Sequence, residues 1–287
     1  MACWAAALLV ASVLSPHPSS AQPSPEAAPK RVASLNLSAD EILVEILPKE
    51  RLVGVTRFVD DPSTSRAAGR APEAAYRFAK ADIERLVALS PDLVVISEYT
   101  DADVVKLIES SGIRSHRMEG LSSIPGVRAA ILDLGRAVGE PDRARRLVGR
   151  FDALLGELKV RLAGARRPRV LYWSSGLTAG KATAIGSLIE TAGGLNLGAE
   201  IGVTGIAPPG EERAFAADPD VILVSSYQGA IAEVKNHPLL RSLRAVKEDH
   251  VVVMPNALLV ALSQYSADAC WDLAHRLHPD RVPPDEP

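Results

Sequence analysis

The chain has 287 residues, of which 47% are hydrophobic and 23% are charged, and its net charge is -3. Such a balance of charge provides no basic field for nucleic acid or for an anionic membrane surface, so we expect no nucleic-acid partner. The length and the hydrophobic share predict two well-packed globular domains.

The first 21 residues differ in composition from the rest of the chain. An apolar run from Cys3 to Leu14 is too short to span a bilayer, and three small residues that end at Ala21 follow it. We interpret residues 1–21 as a cleaved signal peptide, which predicts a periplasmic location, and residues 22–30 as a disordered leader. A membrane anchor or a buried helix is the alternative interpretation of the same segment.

Residues 31–139 are predicted to form an N-terminal α/β lobe. RVASLNL at 31–37 has the pattern of a strand, and Ser38 with Glu41 has the spacing of a capping box at the start of the next helix. Strands and helices then alternate through the segments RLVGVT, IERLVAL, DLVVIS, DADVVKLIES and IRSHRM. This alternation predicts a parallel sheet that is covered by helices on both faces.

The strand pattern is interrupted between about residues 124 and 162. Two amphipathic helices are predicted there, and the second, within residues 140–166, is about 30 Å long and connects the two halves of the chain. Its apolar side chains recur at helical spacing, at Leu147, Phe151, Leu154, Leu158 and Leu162.

Residues 167–287 are predicted to form a C-terminal α/β lobe. The alternation restarts with the strand RPRVLYWSS, and a later helix is predicted to open near His237 and Pro238. The strand HVVVMP and a closing helix through WDLAHRL complete the lobe. The predicted fold is therefore α/β, with two Rossmann-like lobes that contain parallel sheets and are joined by one long α-helix.

One stretch of sequence occurs twice. ERLVALSPDLVVIS at 84–97 and ERAFAADPDVILVS at 212–225 share Glu, Arg, Ala, Pro, Asp and Ser in register, 128 residues apart. The repeat indicates the same helix-to-strand unit in each lobe, with Glu84 and Glu212 at equivalent places in the first turn of the helix. A carboxylate there is also stabilised simply by the helix dipole. Ligands of open α/β sheets bind at the carboxyl ends of the strands, so a cleft between the lobes is the expected binding site.

Catalytic and metal-binding motifs are not found in the sequence. GLTAGKAT at 176–183 departs from the phosphate-loop pattern, because no Gly stands five residues before Gly180 and an alanine follows Lys181. Dinucleotide, serine-hydrolase and zinc-protease motifs are also missing. The later histidines are scattered at His116, His237, His250, His275 and His278. We therefore predict no catalytic residue, no metal site and no cofactor, and we interpret Cys270 as a small buried hydrophobe.

Five segments in the order RVASLNLSADEILVEIL, RLVGVT, DIERLVALSPDLVVI, VLYWSSGLTAG and EERAFAADPDVILV resemble a known family. They are similar to the periplasmic binding proteins of ABC importers for cobalamin, iron-siderophore complexes and haem, whose two lobes are joined by one long helix. The resemblance implies a monomer that binds a small metal chelate and delivers it to an ABC permease dimer with its ATPase. It also implies that Glu84 and Glu212 dock with permease arginines.

Seven candidate ligand-binding residues lie at or just after the predicted strand ends, and Tyr76 lies on the loop that precedes the Glu84 helix; each can face either the cleft or the core. They are Asn36, Thr56, Tyr76, Ser97, Tyr99, Trp173, Tyr227 and Asn256. Their flat aromatic side chains suit a corrin, a porphyrin or an aromatic chelate. The nearest basic residues, Arg57, Arg66 and Arg77, do not form a cluster in the sequence. The resemblance places cobalamin first, a ferric siderophore second and haem third; a ligand-binding sensor or scavenger without a permease is the alternative function.

Overall fold

The computed structural model describes residues 27–284, so the predicted signal peptide and most of the predicted leader lie outside the described residues. The first lobe, here the N-lobe, contains a five-stranded parallel sheet with the strand order β3-β2-β1-β4-β5. Its strands are β1 (Val32–Ser34), β2 (Leu52–Thr56), β3 (Tyr76–Phe78), β4 (Leu93–Ser97) and β5 (Ser115–Met118). Its helices are α1 (Leu37–Ile46), α2 (Ile83–Ala88), α3 (Ala102–Ser110) and α4 (Ile124–Ala137).

The long helix α5 (Pro141–Arg161) leads from this lobe to the second one, the C-lobe. Proline is tolerated at its first position because the N–H of that residue has no partner in the helix. The first half of α5 buries Leu147 and Val148 in the N-lobe core, and the second half buries Phe151 and Leu158 in the C-lobe core. The predicted apolar spacing therefore serves two cores, one at each end of the helix.

The C-lobe contains a four-stranded parallel sheet with the order β11-β10-β6-β8 and a small antiparallel pair, β7 with β9. Its strands are β6 (Arg169–Tyr172), β7 (Thr178–Ala179), β8 (Leu195–Asn196), β9 (Ile206–Ala207), β10 (Val221–Ser225) and β11 (Val251–Met254). Its helices are α6 (Ala184–Thr191), α7 (Leu197–Glu200), α8 (Glu211–Ala216), α9 (Ala230–Asn236), α10 (Arg244–Lys247), α11 (Asn256–Leu259) and α12 (Ser266–Leu277). The predicted α/β fold with parallel sheets in two lobes is confirmed.

The repeated sequence forms the same unit in both lobes. Strands β4 and β10 begin and end 128 residues apart, and each is preceded by a residue with positive φ, Ser90 (47°) or Asp218 (42°). Asp92 and Asp220 then each accept the backbone N–H of the residue that leads into the neighbouring strand, Arg31 or Arg169, at 2.9 Å in both cases. The recurring Asp therefore fixes the start of one strand beside another.

The two lobes also touch each other outside α5. Ile124, at the start of α4, is buried in the C-lobe core, and its backbone N–H donates to Ser187 Oγ of α6 at 3.0 Å. Conversely, Leu262 and Tyr265 of the C-lobe, which precede α12, pack against the N-lobe core. Each lobe thus inserts apolar side chains into the other.

Two local predictions are wrong. Asn36, not Ser38, caps α1, because its Oδ1 accepts the backbone N–H of Ser38 at 3.1 Å, and Glu41 is buried instead of reaching back to the helix start. The helix expected to open near His237 ends there, since α9 stops at Asn236. The sequence pattern also missed β3 and the β7–β9 pair, which are only two or three residues long. Within residues 27–284, no helix is long and apolar enough to cross a membrane.

Candidate functional site

A cavity of about 390 Å³ lies where the two lobes meet. Tyr99, two residues after β4, contributes the N-lobe side, and segments around β7, β9 and α11 contribute the C-lobe side. The lining residues are Tyr99, Ala182, Thr183, Ala184, Ile185, Gly205, Ile206, Leu259, Val260 and Leu262. No charged side chain is among them, so the cavity suits a ligand with an apolar face.

Three large apolar residues of this lining are substantially exposed. Tyr99 is 62% exposed, Ile206 is 50% exposed and Val260 is 43% exposed. They come from both lobes and line the same cavity, where their exposed apolar surface can contact a ligand. Tyr99 adds a flat ring with a polar tip, which can cover the face of a planar ligand.

The floor of the cavity is closed by close packing between the lobes. Ile124, Leu188, Leu258 and Leu262 surround a void of only about 10 Å³ there. A void of this size is at the lower limit for one water molecule, so the floor is a packed surface and not a channel.

The segment that resembles a phosphate loop forms a wall of the cavity. β7 pairs with β9 in register Ala179 with Ile206, and the backbone N–H of Gly180 donates to Gly205 O at 2.9 Å. A Cβ at Gly180 would lie 2.1 Å from Val203 O, so only glycine allows this close approach. Gly180 therefore allows the close backbone packing beside the β7–β9 pair, and Ala182 and Ile206 of these segments line the cavity.

The predicted residues at the N-lobe strand ends are mostly occupied by local hydrogen bonds. Asn36 caps α1, as described above. Thr56 is buried, and its Oγ1 donates to Asp40 Oδ2 at 2.6 Å. Ser97 is also buried, and its Oγ accepts the backbone N–H of Tyr99 at 3.3 Å. Among the eight predicted ligand-binding residues, only Tyr99 lines the cavity.

At the C-lobe strand ends, Glu233 accepts hydrogen bonds from two of the predicted aromatic residues, Trp173 and Tyr227. The sequence analysis did not single out Glu233. Trp173 is 2% exposed, and its Nε1 donates to Glu233 Oε1 at 2.8 Å. The hydroxyl of Tyr227 donates to the other oxygen of Glu233. The desolvation of Tyr227, together with this bond, raises the pKa of its phenol. Trp173 belongs to the core, and the expectation that it offers a face to the cleft is not supported.

Asn256 and Tyr76 have different surroundings from those expected. Asn256 Oδ1 accepts from Ser225 Oγ at 2.9 Å, and its Nδ2 donates to Ser63 O of the N-lobe at 3.3 Å, so it bridges the lobes. Tyr76 packs edge-on against Phe78, and the guanidinium of Arg85 lies 4.9 Å from its ring centre. Tyr76 therefore faces α2 and not the cavity.

The three basic residues singled out in the sequence do not form an anion site. Arg77 pairs with Asp60 at 2.7 Å, and the Arg57 guanidinium lies 5.3 Å from the Phe58 ring centre. Arg66 lies close enough to Glu41 to lower the pKa of that carboxyl, against the larger effect of burial. None of the three lines the cavity.

No group of three or more His, Cys, Asp or Glu side chains in the described part of the chain is placed to hold a metal ion. Cys270 is fully buried in the C-lobe core, and burial raises the pKa of its thiol, so it is not a reactive nucleophile. The interpretation of Cys270 as a buried hydrophobe is confirmed.

Glu84 and Glu212 occupy equivalent positions on the surface. Each is the second residue of a six-residue helix, α2 or α8, and each is exposed. Their side chains are available for contacts outside the chain.

The described chain matches a known family over most of its length. The family model described as "periplasmic binding protein" matches residues 32–258. The chain belongs to the periplasmic binding protein family. Members of this family are substrate-binding transport proteins and not enzymes.

Two curated relatives of this periplasmic binding protein are named for one ligand. A protein of Halobacterium salinarum named "Cobalamin-binding protein" is 32% identical over 206 residues, which cover 68% of this chain and 53% of the relative. A "Vitamin B12-binding protein" of Salmonella typhi is 28% identical over 214 residues, which cover 72% of this chain and 76% of the relative. The chain thus spans about half the length of the archaeal relative.

Solved structures share the fold. A periplasmic haem-binding protein, RhuT of Roseiflexus sp. RS-1 in its apo form, gives a TM-score of 0.74 at 24% identity, covering 87% of this chain and 98% of its own. The haem-binding protein BhuT in complex with two haems gives a TM-score of 0.73 at 26% identity, with coverage of 88% and 99%. The two-lobed fold of this periplasmic binding protein is therefore shared with proteins that are named for haem binding.

Proposed function

We propose that this protein captures a metal-chelate cofactor, with cobalamin as the first candidate, and delivers it to an ABC importer. The observation that carries the proposal is the cavity that both lobes line without a charged side chain. Such a cavity can contact an apolar face or edge of a ligand that is larger than the cavity itself. The identity of 32% to a cobalamin-binding protein supports the same ligand class.

The order of the candidate ligands follows from the chemistry of the lining. A strongly anionic ferric chelate needs cationic partners, but Arg77 is already paired with Asp60 and no arginine lines the cavity. Cobalamin and uncharged ferric chelates need mainly apolar contact and a few hydrogen bonds, which Tyr99 and Thr183 can provide. This favours cobalamin first and an uncharged ferric siderophore second, with haem third and a strongly anionic siderophore last.

Glu84 and Glu212 are proposed as the residues that dock with the permease. Their equivalent positions on α2 and α8 place one exposed carboxylate on each lobe. A carboxylate accepts two parallel hydrogen bonds from an arginine, and two such pairs at a fixed spacing would set the orientation of the whole protein. Since α5 joins both cores, the spacing of the two carboxylates is built into the fold.

Residues 1–21 are proposed to direct export, and the mature protein is proposed to act in the periplasm as a monomer. The support is the apolar run of Cys3–Leu14 with small residues up to Ala21, and the family to which the chain belongs.

Calorimetric titration of the purified full chain with cyanocobalamin, haemin, a neutral ferric hydroxamate and an anionic ferric catecholate tests the proposed ligand class. We expect one site, the highest affinity for cyanocobalamin and the lowest for the catecholate. Binding of the catecholate alone would overturn the order of candidates, and binding of none of the four would overturn the proposed ligand class.

A further inference from the structure

The carboxylate of Glu41 is buried at a junction of the two lobes. Glu41 lies on α1 of the N-lobe and is only 1% exposed. Its Oε1 accepts from Ser65 Oγ at 2.9 Å and from the backbone N–H of Arg66 at 3.0 Å, both within the N-lobe. Its Oε2 accepts from Ser263 Oγ of the C-lobe at 2.5 Å. One buried carboxylate therefore holds donors from both lobes.

Neighbouring contacts strengthen the same junction. Gln264 Nε2 donates to the backbone oxygen of Glu41 at 2.8 Å. One turn later on α1, Glu45 pairs with Arg70, whose guanidinium also donates to the hydroxyl of Tyr265 at 2.7 Å. The C-lobe segment 263–265 is thus tied to α1 by side chains at three successive positions.

This junction is directly connected to the cavity. Leu262, which precedes Ser263, lines both the cavity and its packed floor. Any displacement of residues 263–264 relative to α1 must therefore move Leu262. Hydrogen bonds to a charged acceptor in a buried site are strong and directional, and they hold such a position better than apolar contact alone.

We infer that Glu41 is a positioning residue that fixes the C-lobe segment 263–264 against α1 and thereby sets the width of the cleft. The lobes are also joined by α5, by Ile124 with Ser187 and by Asn256 with Ser63, and the Glu41 junction adds a buried carboxylate to these contacts. The role concerns the lobes themselves and does not depend on which ligand the cleft holds. The charged groups that interact with this carboxylate are Arg66, on the segment after β2, and the neighbouring Asp40 on α1.

Two serine substitutions separate positioning from simple stabilisation. Ser263→Ala and Ser65→Ala each remove one buried hydroxyl from the same carboxylate, and each hydroxyl also accepts a nearby backbone N–H. Only Ser263 belongs to the other lobe. We expect similar losses of thermal stability in the two variants and a change of lobe position in Ser263→Ala alone.

The lobe position is measured by the distance between two spin labels on the full chain. The labels are attached at Glu109→Cys on α3 and Lys247→Cys on α10, both exposed, in a background of Cys3→Ser and Cys270→Ala. We expect Ser263→Ala to shift or broaden the distance distribution by about 2 Å or more, and Ser65→Ala to leave it unchanged. An unchanged distribution in Ser263→Ala, or equal changes in both variants, would overturn the inference. Because no ligand is present, the result is independent of the proposed transport function.

Discussion

Asp40 holds Thr56 through a single buried oxygen: its Oδ2 accepts both the backbone N–H of Thr56 at 2.9 Å and its hydroxyl at 2.6 Å. Thr56 is the last residue of β2, so the contact joins α1 to the carboxyl end of a strand beside the cleft. Burial raises the pKa of Asp40 from 3.8 to about 7, although the bonds from Thr56 act in the opposite direction. The carboxyl therefore changes its charge near neutral pH.

This raised pKa predicts a pH dependence of stability. Between about pH 4 and pH 7 the folded state keeps a proton on Asp40 that the unfolded state releases, so the contribution is full below pH 4 and is lost as pH rises through 7. The free energy of unfolding should fall between pH 5 and pH 8, by at most about 1.4 kcal/mol for each pH unit. Glu41, whose pKa is also raised by burial, acts in the same direction.

Asp40→Asn tests this assignment. The amide oxygen can still accept from Thr56, but the side chain no longer titrates, so the loss of stability between pH 5 and pH 8 should shrink. Denaturant unfolding at both pH values measures the difference, with Asp142→Asn, an exposed change on α5, as the control. A pH dependence equal to that of the wild type would show that Asp40 is not the titrating group.

The cavity makes a second prediction. Removing the exposed apolar groups by Tyr99→Ala or Ile206→Ala should weaken the binding of cyanocobalamin by roughly 10-fold each, because about 1.4 kcal/mol of apolar contact is lost. Leu107→Ala is the matched control, since Leu107 is also 50% exposed but lies on α3 and does not line the cavity. Equal affinity in all variants would place the ligand elsewhere.

A third prediction concerns charge reversal at the two equivalent carboxylates, Glu84 and Glu212. Glu84→Lys or Glu212→Lys should sharply reduce uptake in reconstituted vesicles, and the double variant should abolish it, because repulsion between like charges at a contact costs several kcal/mol. Affinity for the ligand should hardly change, since neither residue lines the cavity. Glu109→Lys reverses another exposed carboxylate and serves as the control. Full uptake by the double variant would refute the docking role, as would a collapse of ligand affinity in either single variant.

Replacement by alanine should have opposite effects on stability at two helical glycines, Gly126 of α4 and Gly149 of α5. A Cβ at Gly126 would lie 1.8 Å from Gly120 O, whereas a Cβ at Gly149 meets no heavy atom within 4 Å. Gly126→Ala should therefore lower the free energy of unfolding by about 1–3 kcal/mol through overpacking. Gly149→Ala should raise it by about 0.5–1 kcal/mol, because alanine loses less backbone entropy in a helix. Thermal unfolding of both variants measures these changes. Stabilisation by Gly126→Ala would contradict the prediction and would mean that the backbone of α4 can move away from Gly120.

Much of the architecture could be predicted from local patterns. Strand β4 and helices α3 to α5 follow from runs of apolar residues at periods of 2 and 3.6 and from their flanking Gly and Pro residues. The repeat at Glu84 and Glu212 indicated equivalent units, and the structure places both at the second position of equal helices. Elements of two or three residues, such as β3 and β7, carry too little pattern to be recognised.

The candidate site was predicted less well. The sequence indicated strand ends and aromatic residues, and only Tyr99 among the eight candidates lines the cavity. Trp173 follows a strand end as a cleft residue would, but it is buried in the C-lobe core, where Glu233, 60 residues later, accepts its indole N–H. Ile206 and Val260 were missed because an exposed apolar side chain gives no signal in the sequence that distinguishes it from a buried one.

The balanced charge, the two α/β halves, the long helix and the repeated unit could be predicted because they depend on composition and on neighbours a few residues apart. Contacts between side chains far apart in the chain depend on the folded arrangement: Glu41 with Ser263, Asn256 with the backbone of Ser63, and Ile124 with the C-lobe core. Glu41 shows the reason most clearly. Its spacing from Ser38 fits a capping box, but the folded chain brings three donors to its carboxylate, and hydrogen bonds at a buried charged group outweigh a local contact at a helix end.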